Sequence, residues 1–267
     1  MIDRKGHFML ENTGQGAVLT ESNRACEACA LKDLRLPRPL SPRELEVLEQ
    51  RAKSSAVLDE GATLFSQGDS VNAVYIVRGG AVKTFVTDRN GKEDIIGFFF
   101  TGDFIALESL ACDLYPMSCA ALTKTYICKI SRADMQALTR ELPSLEEYLF
   151  LSVSEELLGS HQLSQILRQL SADERLSSFL LFLSHTNERH KLSGTDLALP
   201  MSRREIAGYL GLAVETVSRA FSRLQEKQLI AVNDRNVTLL DIEGLRAQSH
   251  CCQSYRDGTF SSEKPVI

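Results

Sequence analysis

Two groups of residues in this 267-residue chain have types and spacings suited to chemistry, and the chemistries differ. The first group is the cysteines. Cys26 and Cys29 form a C-x2-C pair, Cys112, Cys119 and Cys128 follow further along, and Cys251 and Cys252 adjoin near the end. Thiolates are soft, charged ligands and are also the groups that oxidants attack, so these residues read as buried thiols, metal ligands or redox groups. The second group is Glu215, Thr216, Ser218, Arg219 and Arg223, with Arg203 shortly before them. An arginine fork matches guanine O6 and N7, and a carboxylate can accept from cytosine N4. A carboxylate facing DNA otherwise carries an electrostatic cost, so Glu215 reads as a specificity element rather than a phosphate contact. Enzyme chemistry has no comparable support. No nucleophile–base pair, glycine-rich phosphate loop or histidine metal spacing is present, and the five histidines (7, 161, 185, 190, 250) are scattered. The expectation is a binding protein that is not an enzyme.

Each group needs elements to position it. The length and 43% hydrophobic content suit two domains with a substantial core. No apolar run approaches the roughly 20 residues that span a bilayer, and the N-terminus has no secretory signal, so a cytoplasmic protein with no membrane partner is expected. In that compartment a disulfide framework is disfavoured. The net charge is −5, yet residues 201–235 hold six basic against four acidic residues, a local excess that permits DNA binding.

Residues 1–40 are polar and irregular. Ser41-Pro42-Arg43-Glu44 has the signature of a helix start, with Leu45 and Leu48 on the helix that follows. From about 57 to 131 the segments VYIVRGGAV, KTFVTD, DIIGFFF and TYICKI are β-branched and aromatic, and glycines separate them. With Asn90-Gly91 as a hairpin signal, they predict an antiparallel barrel or sandwich. After Pro143, Leu149, Val153, Leu157, Leu163, Leu167 and Leu170 make a long apolar stripe. Its length favours a helix pair between two subunits over packing on the chain's own β-domain. A second helix is expected over about 172–184.

In MSRREIAGYLGLAVETVSRAFSRLQEKQLI, Ser202 and Glu205 form a capping box, and Ile206, Ala207 and Leu210 face inward. Gly211 marks the turn, and a second helix begins near Val214 with Val217, Ala220, Phe221 and Leu224 inside. LIAV, NDRN and VTLL then predict a two-stranded wing, and residues beyond about 247 a disordered tail.

The sequence resembles the CRP/FNR family of bacterial regulators over about residues 20 to 245. LFSQGDSVNAVYIVRGGAVK is similar to the family's β-roll motif, and VETVSR to the recognition helix of its FNR branch. The resemblance implies an α+β fold: an arm over 1–40, a β-roll of the cyclic-nucleotide-binding, jelly-roll type over 41–140, a dimerisation helix over 141–171, a winged helix-turn-helix over 172–246 and a tail over 247–267. It implies a homodimeric activator on double-stranded DNA, with Glu215, Ser218 and Arg219 reading a TTGAT-type inverted repeat. RNA polymerase would be contacted through surface loops near Asp88 to Asp94.

The resemblance also frames the input. Members that bind cyclic AMP use an Arg-Ser pair and an upstream Glu. Glu108 is present, but Tyr115-Pro116-Met117-Ser118-Cys119 contains no arginine, so no cAMP is expected. Oxygen-sensing members hold a 4Fe–4S cluster on three N-terminal cysteines and one from the roll. Cys26, Cys29 and Cys128 match three of these positions, while Arg35 occupies the fourth. Three readings stay open: a cluster whose remaining ligand is Cys119, Cys112 or Asp33, a thiol-based redox or nitric oxide switch, or a constitutive dimer controlled by abundance. A small-ligand regulator without a cluster is a further alternative. Cys112 and Cys119 read first as small buried hydrophobes within strands. Ser160 falls where the oxygen sensors place a repelling carboxylate on the dimer helix, so pairing there is expected to depend less on a cluster.

Overall fold

The computed structural model describes residues 19–20, 41–52, 54–89, 91–190 and 192–249. The chain divides after Ser154 into two compact units. The first begins with β1 (Leu19–Thr20) and α1 (Pro42–Arg51). There Ser41 and Glu44 close the expected capping box. Eight further strands follow: β2 (Ser54–Leu58), β3 (Thr63–Phe65), β4 (Ala73–Gly79), β5 (Ala81–Thr87), β6 (Glu93–Phe100), β7 (Phe104–Ile105), β8 (Ser118–Ala121) and β9 (Thr125–Ser131). They form two antiparallel sheets ordered β1-β2-β9-β4-β7 and β3-β8-β5-β6. The segment VYIVRGGAV is thus two strands rather than one. Gly79 ends β4 in the first sheet, and Ala81 opens β5 in the second. β5 and β6 pair as the expected hairpin, closed by Gly91 N–H to the Asp88 carbonyl at 3.0 Å, and Asn90 lies outside the described residues.

Strand alternation sorts the core into two layers. From β4, Tyr75 and Val77 enter the cluster between the sheets, with Phe65, Val82, Tyr115, Cys119 and Ile127. Val74 and Ile76 face the other way, into a cluster with Leu48 of α1 and Cys128 and Ile130 of β9. Met135 and Leu138 of α2 (Arg132–Glu141) belong to that outer cluster, as do Leu145 and Tyr148 at the start of α3 (Pro143–Gln169). A strand buried on both faces reads as a continuous apolar run, and AVYIV is one.

The 27-residue α3 is the long helix expected from the stripe. Leu149 differs from the expectation: it is half-buried against the outer cluster of the roll, because it lies next to Tyr148 on the side that packs there. The exposed stripe starts one residue later. Phe150 (74% exposed), Val153 (50%) and Leu157 (57%) recur along one face, flanked by Leu151 and Leu158. Ser160 is also exposed, and the side chain of Leu167 lies outside the described residues.

The second unit contains α4 (Ala172–Arg189), β10 (Asp196–Ala198), α5 (Arg203–Leu210), α6 (Val214–Glu226), β11 (Ile230–Asn233), β12 (Asn236–Leu239) and α7 (Ile242–Ser249). The predicted hairpin LIAV–NDRN–VTLL is present, with Asp234 in a left-handed conformation at its turn. It is two strands of a three-stranded sheet, because β10 adds to the free edge of β12. α7 includes residues 247–249 of the expected tail, and the remainder of that tail lies outside the described residues. The segment continues as helix to Ser249, with Leu245 fully buried, and α7 packs on α4. Cys251 and Cys252 lie outside the described residues.

Candidate nucleic-acid interface

The two-helix motif forms as its sequence dictates. Ser202 accepts from the Glu205 N–H, and the Glu205 carboxylate accepts from the Ser202 N–H at 2.7 Å. Ile206, Ala207 and Leu210 are buried. Gly211 terminates α5 at φ 61°, a left-handed conformation that an L side chain adopts only at a cost. Two residues later α6 begins, capped by Ala213 with no side-chain hydrogen bond. Its first N–H groups are therefore not taken by a side-chain cap, an arrangement suited to phosphate oxygens. Val217, Ala220, Phe221 and Leu224, spaced i, i+3, i+4 and i+7, are all buried.

This packing settles what faces outward. Glu215, Ser218 and Arg219 are exposed on α6, and Thr216 is half-buried beside them. Among the described residues, no hydrogen bond or ion pair takes the side chain of Glu215 or Arg219. Arg204 on α5 and Arg235 at the wing turn are exposed as well.

Two arginines are placed differently. The Arg203 guanidinium lies over the Phe221 ring, 3.5 Å from its centroid. Burial there pulls its pKa below the usual guanidinium value, and the nearby Asp234 carboxylate opposes that shift. Arg203 thus joins the start of α5 to the buried side of α6. Arg223, expected to face DNA, instead turns to the first turn of α4, where its Nε lies 2.9 and 3.0 Å from the two carboxylate oxygens of Asp173. Its Nη2 donates to the same carboxylate, and Lys227 stands 3.7 Å from it. Asp173 lies 50 positions from Arg223 along the chain, so no local pattern pointed to this pair.

The sensory cysteines separate. Cys128 is buried on the face of the five-stranded sheet that α1 and α2 cover. Cys119 is buried between the two sheets, so the five-stranded sheet stands between the two thiols. Burial pushes the Cys119 thiol well above its ordinary pKa, and the Glu108 carboxylate adds to the shift. Cys119 and Cys128 thus enter different cores, and Cys119 is a buried small residue of a strand. Cys112 is not in a strand. It ends a single 3-10 turn (Glu108–Ala111) and is half-buried. Among the described residues, no three His, Cys, Asp or Glu side chains group as a metal site. Cys26, Cys29, Asp33 and Arg35 lie outside them. The described cysteines are Cys112, Cys119 and Cys128.

Inside the roll, Phe65 stacks on Tyr115 with centroids 4.1 Å apart, and on Tyr75 at 5.7 Å. The Tyr115 hydroxyl donates to the Ala73 carbonyl at 2.7 Å, and Ser118 accepts from the Gln67 N–H at 2.9 Å. Burial raises the pKa of Glu108.

Comparison with known proteins agrees with both units. A Crp-like helix-turn-helix domain matches residues 174–248, and a cyclic nucleotide-binding domain matches 56–141. The chain is 37% identical over 222 residues to transcriptional activator protein FnrA of Stutzerimonas stutzeri, which covers 83% of this chain and 91% of that protein. It is 38% identical over 216 residues to transcriptional activator protein anr of Pseudomonas aeruginosa, covering 81% and 88%. Among solved structures, FixK2 from Bradyrhizobium japonicum superposes with a TM-score of 0.66 at 26% identity, over 73% of this chain and 96% of that one. No helix among the described residues is long and apolar enough to cross a membrane. A β-roll, a long helix and a winged helix-turn-helix with an outward Glu-Ser-Arg face, together with relatives of this identity, make the chain a DNA-binding transcription regulator of the CRP/FNR family, not an enzyme.

Proposed function

We propose that the protein is a homodimeric, cytoplasmic transcription activator that reads a TTGAT-type inverted repeat through Glu215, Ser218 and Arg219. The observation that carries this reading is the outward face of α6, where these side chains are exposed while Val217, Ala220, Phe221 and Leu224 hold the helix down. Two such helices, one per subunit, enter successive major grooves. Thr216 flanks the readers at the helix start. Arg203 borders the same surface while stacked on Phe221, and Arg223 supports α6 from behind. The exposed hairpin from Asp88 to Asp94 is the surface offered to RNA polymerase. Relatives named as activators support the sense of regulation.

Arg219→Ala is expected to weaken binding to the cognate duplex by about 1–3 kcal/mol and to relax the preference at one base pair of each half-site. Fluorescence anisotropy at fixed salt, across duplexes varied one position at a time, measures both. Equal loss on every duplex would contradict base reading by Arg219.

The input is assigned to Cys26, Cys29 and Cys128, responding to oxygen, redox state or nitric oxide. When bound, a 4Fe–4S cluster would supply sensitivity to oxygen, with Asp33 or Cys112 as its remaining ligand and not Cys119. A second reading, redox change of the thiols without a cluster, is favoured by Arg35 at the third N-terminal position and by the uncharged, exposed Ser160 on α3. Iron and acid-labile sulfide in protein prepared without air separate the two. Cyclic AMP is not assigned, because the roll offers the phosphate no arginine in the 115–119 segment and fills its interior with Phe65, Tyr75 and Tyr115.

A further inference from the structure

The first turn of α4 reaches both helices of the DNA-reading motif. The side chain of Asp173 is 14% exposed, and it receives the Arg223 fork and stands near Lys227. Two residues on, Arg175 donates from Nη1 to the Leu210 carbonyl at 2.9 Å and from Nε to the Leu170 carbonyl at 2.9 Å. Leu210 is the last residue of α5, where carbonyls lack intrahelical donors, so Arg175 fills an orphaned acceptor directly before the Gly211 turn. Arg223 lies one helical turn beyond Arg219 on α6. A forked arginine–carboxylate contact fixes direction as well as distance. Holding Arg223 therefore fixes both the rotation of α6 about its axis and its advance along that axis. These two quantities decide where Glu215, Ser218 and Arg219 meet base edges.

We propose that Asp173 is a positioning residue for DNA reading: through Arg223 it sets the register of α6, while Arg175 sets the turn before it. This rests on the reading of α6 as the base-contacting helix. Asp173 touches no base in this account. Arg223 is 42% exposed, so solvent screens the pair and its larger effect is expected on discrimination rather than on unfolding.

The test uses the full-length chain and two duplexes at one salt concentration. One duplex is the sequence that the unaltered protein selects from a randomised pool, and the other is unrelated. Asp173→Asn is expected to lower affinity for the selected duplex about tenfold, since small misplacements of supporting groups disable recognition sites. Affinity for the unrelated duplex is expected to hold or rise, because a negative charge has been removed. The melting midpoint is expected to move little. The double variant Asp173→Asn/Arg223→Gln should lose no more than either single variant, the signature of one shared interaction. An unchanged ratio of the two affinities would overturn the proposal. If Asp173→Asn fails to fold, Arg223→Lys, which keeps the charge but not the fork, must show the same loss of discrimination. An unchanged ratio there would also overturn it. A pool that yields no preferred sequence removes the base-reading premise itself, and the proposal with it.

Discussion

Replacing Val153 and Leu157 together with glutamate is expected to convert the protein from dimer to monomer and to weaken its binding to an inverted repeat by about 100-fold or more. Both side chains are at least half exposed on α3, in line with Phe150. An exposed apolar stripe on a long helix is the kind of surface that pairs with a partner, here expected to be a second copy of the chain. Pairing it with a second copy makes the second half-site contact intramolecular, which is the source of the affinity gain. Four glutamates across that seam would repel and would lose the apolar contact as well. Size-exclusion chromatography with light scattering measures the first effect and anisotropy the second. The unaltered protein, prepared in air and free of metal, is expected to elute as a dimer, because Ser160 places no charge on the seam. A clean monomer there would show that pairing depends on something other than this stripe.

Gly80→Ala is expected to destabilise the roll by about 3 kcal/mol, by the sum of backbone strain and overpacking. Gly80 sits at φ +89°, where the chain passes from one sheet to the other. A Cβ there would stand 2.6 Å from the Lys124 carbonyl and the Thr125 hydroxyl, and 2.9 Å from the Thr125 Cα. Most of these neighbours are backbone. The Thr125 hydroxyl is itself held, with the Ala81 and Thr123 carbonyls at 3.0 and 2.8 Å to accept its one proton. Gly91→Ala serves as the control: its φ is +80°, but nothing lies within 4 Å, so only the backbone cost remains. Urea or thermal unfolding measures the difference between the two variants. Equal midpoints would show that the neighbours of Gly80 give way easily.

Local patterns carried the reading wherever a neighbour in sequence decides the structure. The capping boxes at Ser41 and Ser202, the Gly211 turn and the inner face of α6 are contacts within one or two turns, and all are present. What the sequence left hidden depends on distant partners. β10 is only three residues long and exists because the β12 edge accepts it. IEGLRAQS is polar with a glycine inside, a weak helix by propensity, and it forms α7 against α4. Arg223 does lie on the outer half of α6 by spacing, but its long side chain reaches the partly buried carboxylate of Asp173 on α4. Alternation along β8 and β9 shows that Cys119 and Cys128 are buried without showing which core each enters. Only the sheet order does that, and it places the two thiols on opposite faces of the five-stranded sheet. Leu149 illustrates the same limit, since a helical stripe does not reveal which of its residues the roll has already covered.

Recognition of an inverted repeat rests on base reading by two symmetry-related α6 helices. It is tested most directly by selecting duplexes from a randomised pool with the full-length protein, then repeating the selection with Arg219→Ala. An inverted repeat with TTGAT-type half-sites about one helical turn apart is expected, with loss of preference at a single base pair of each half-site in the variant. Recovered sequences without two-fold symmetry, or a symmetric site that Arg219→Ala leaves unchanged, would contradict it.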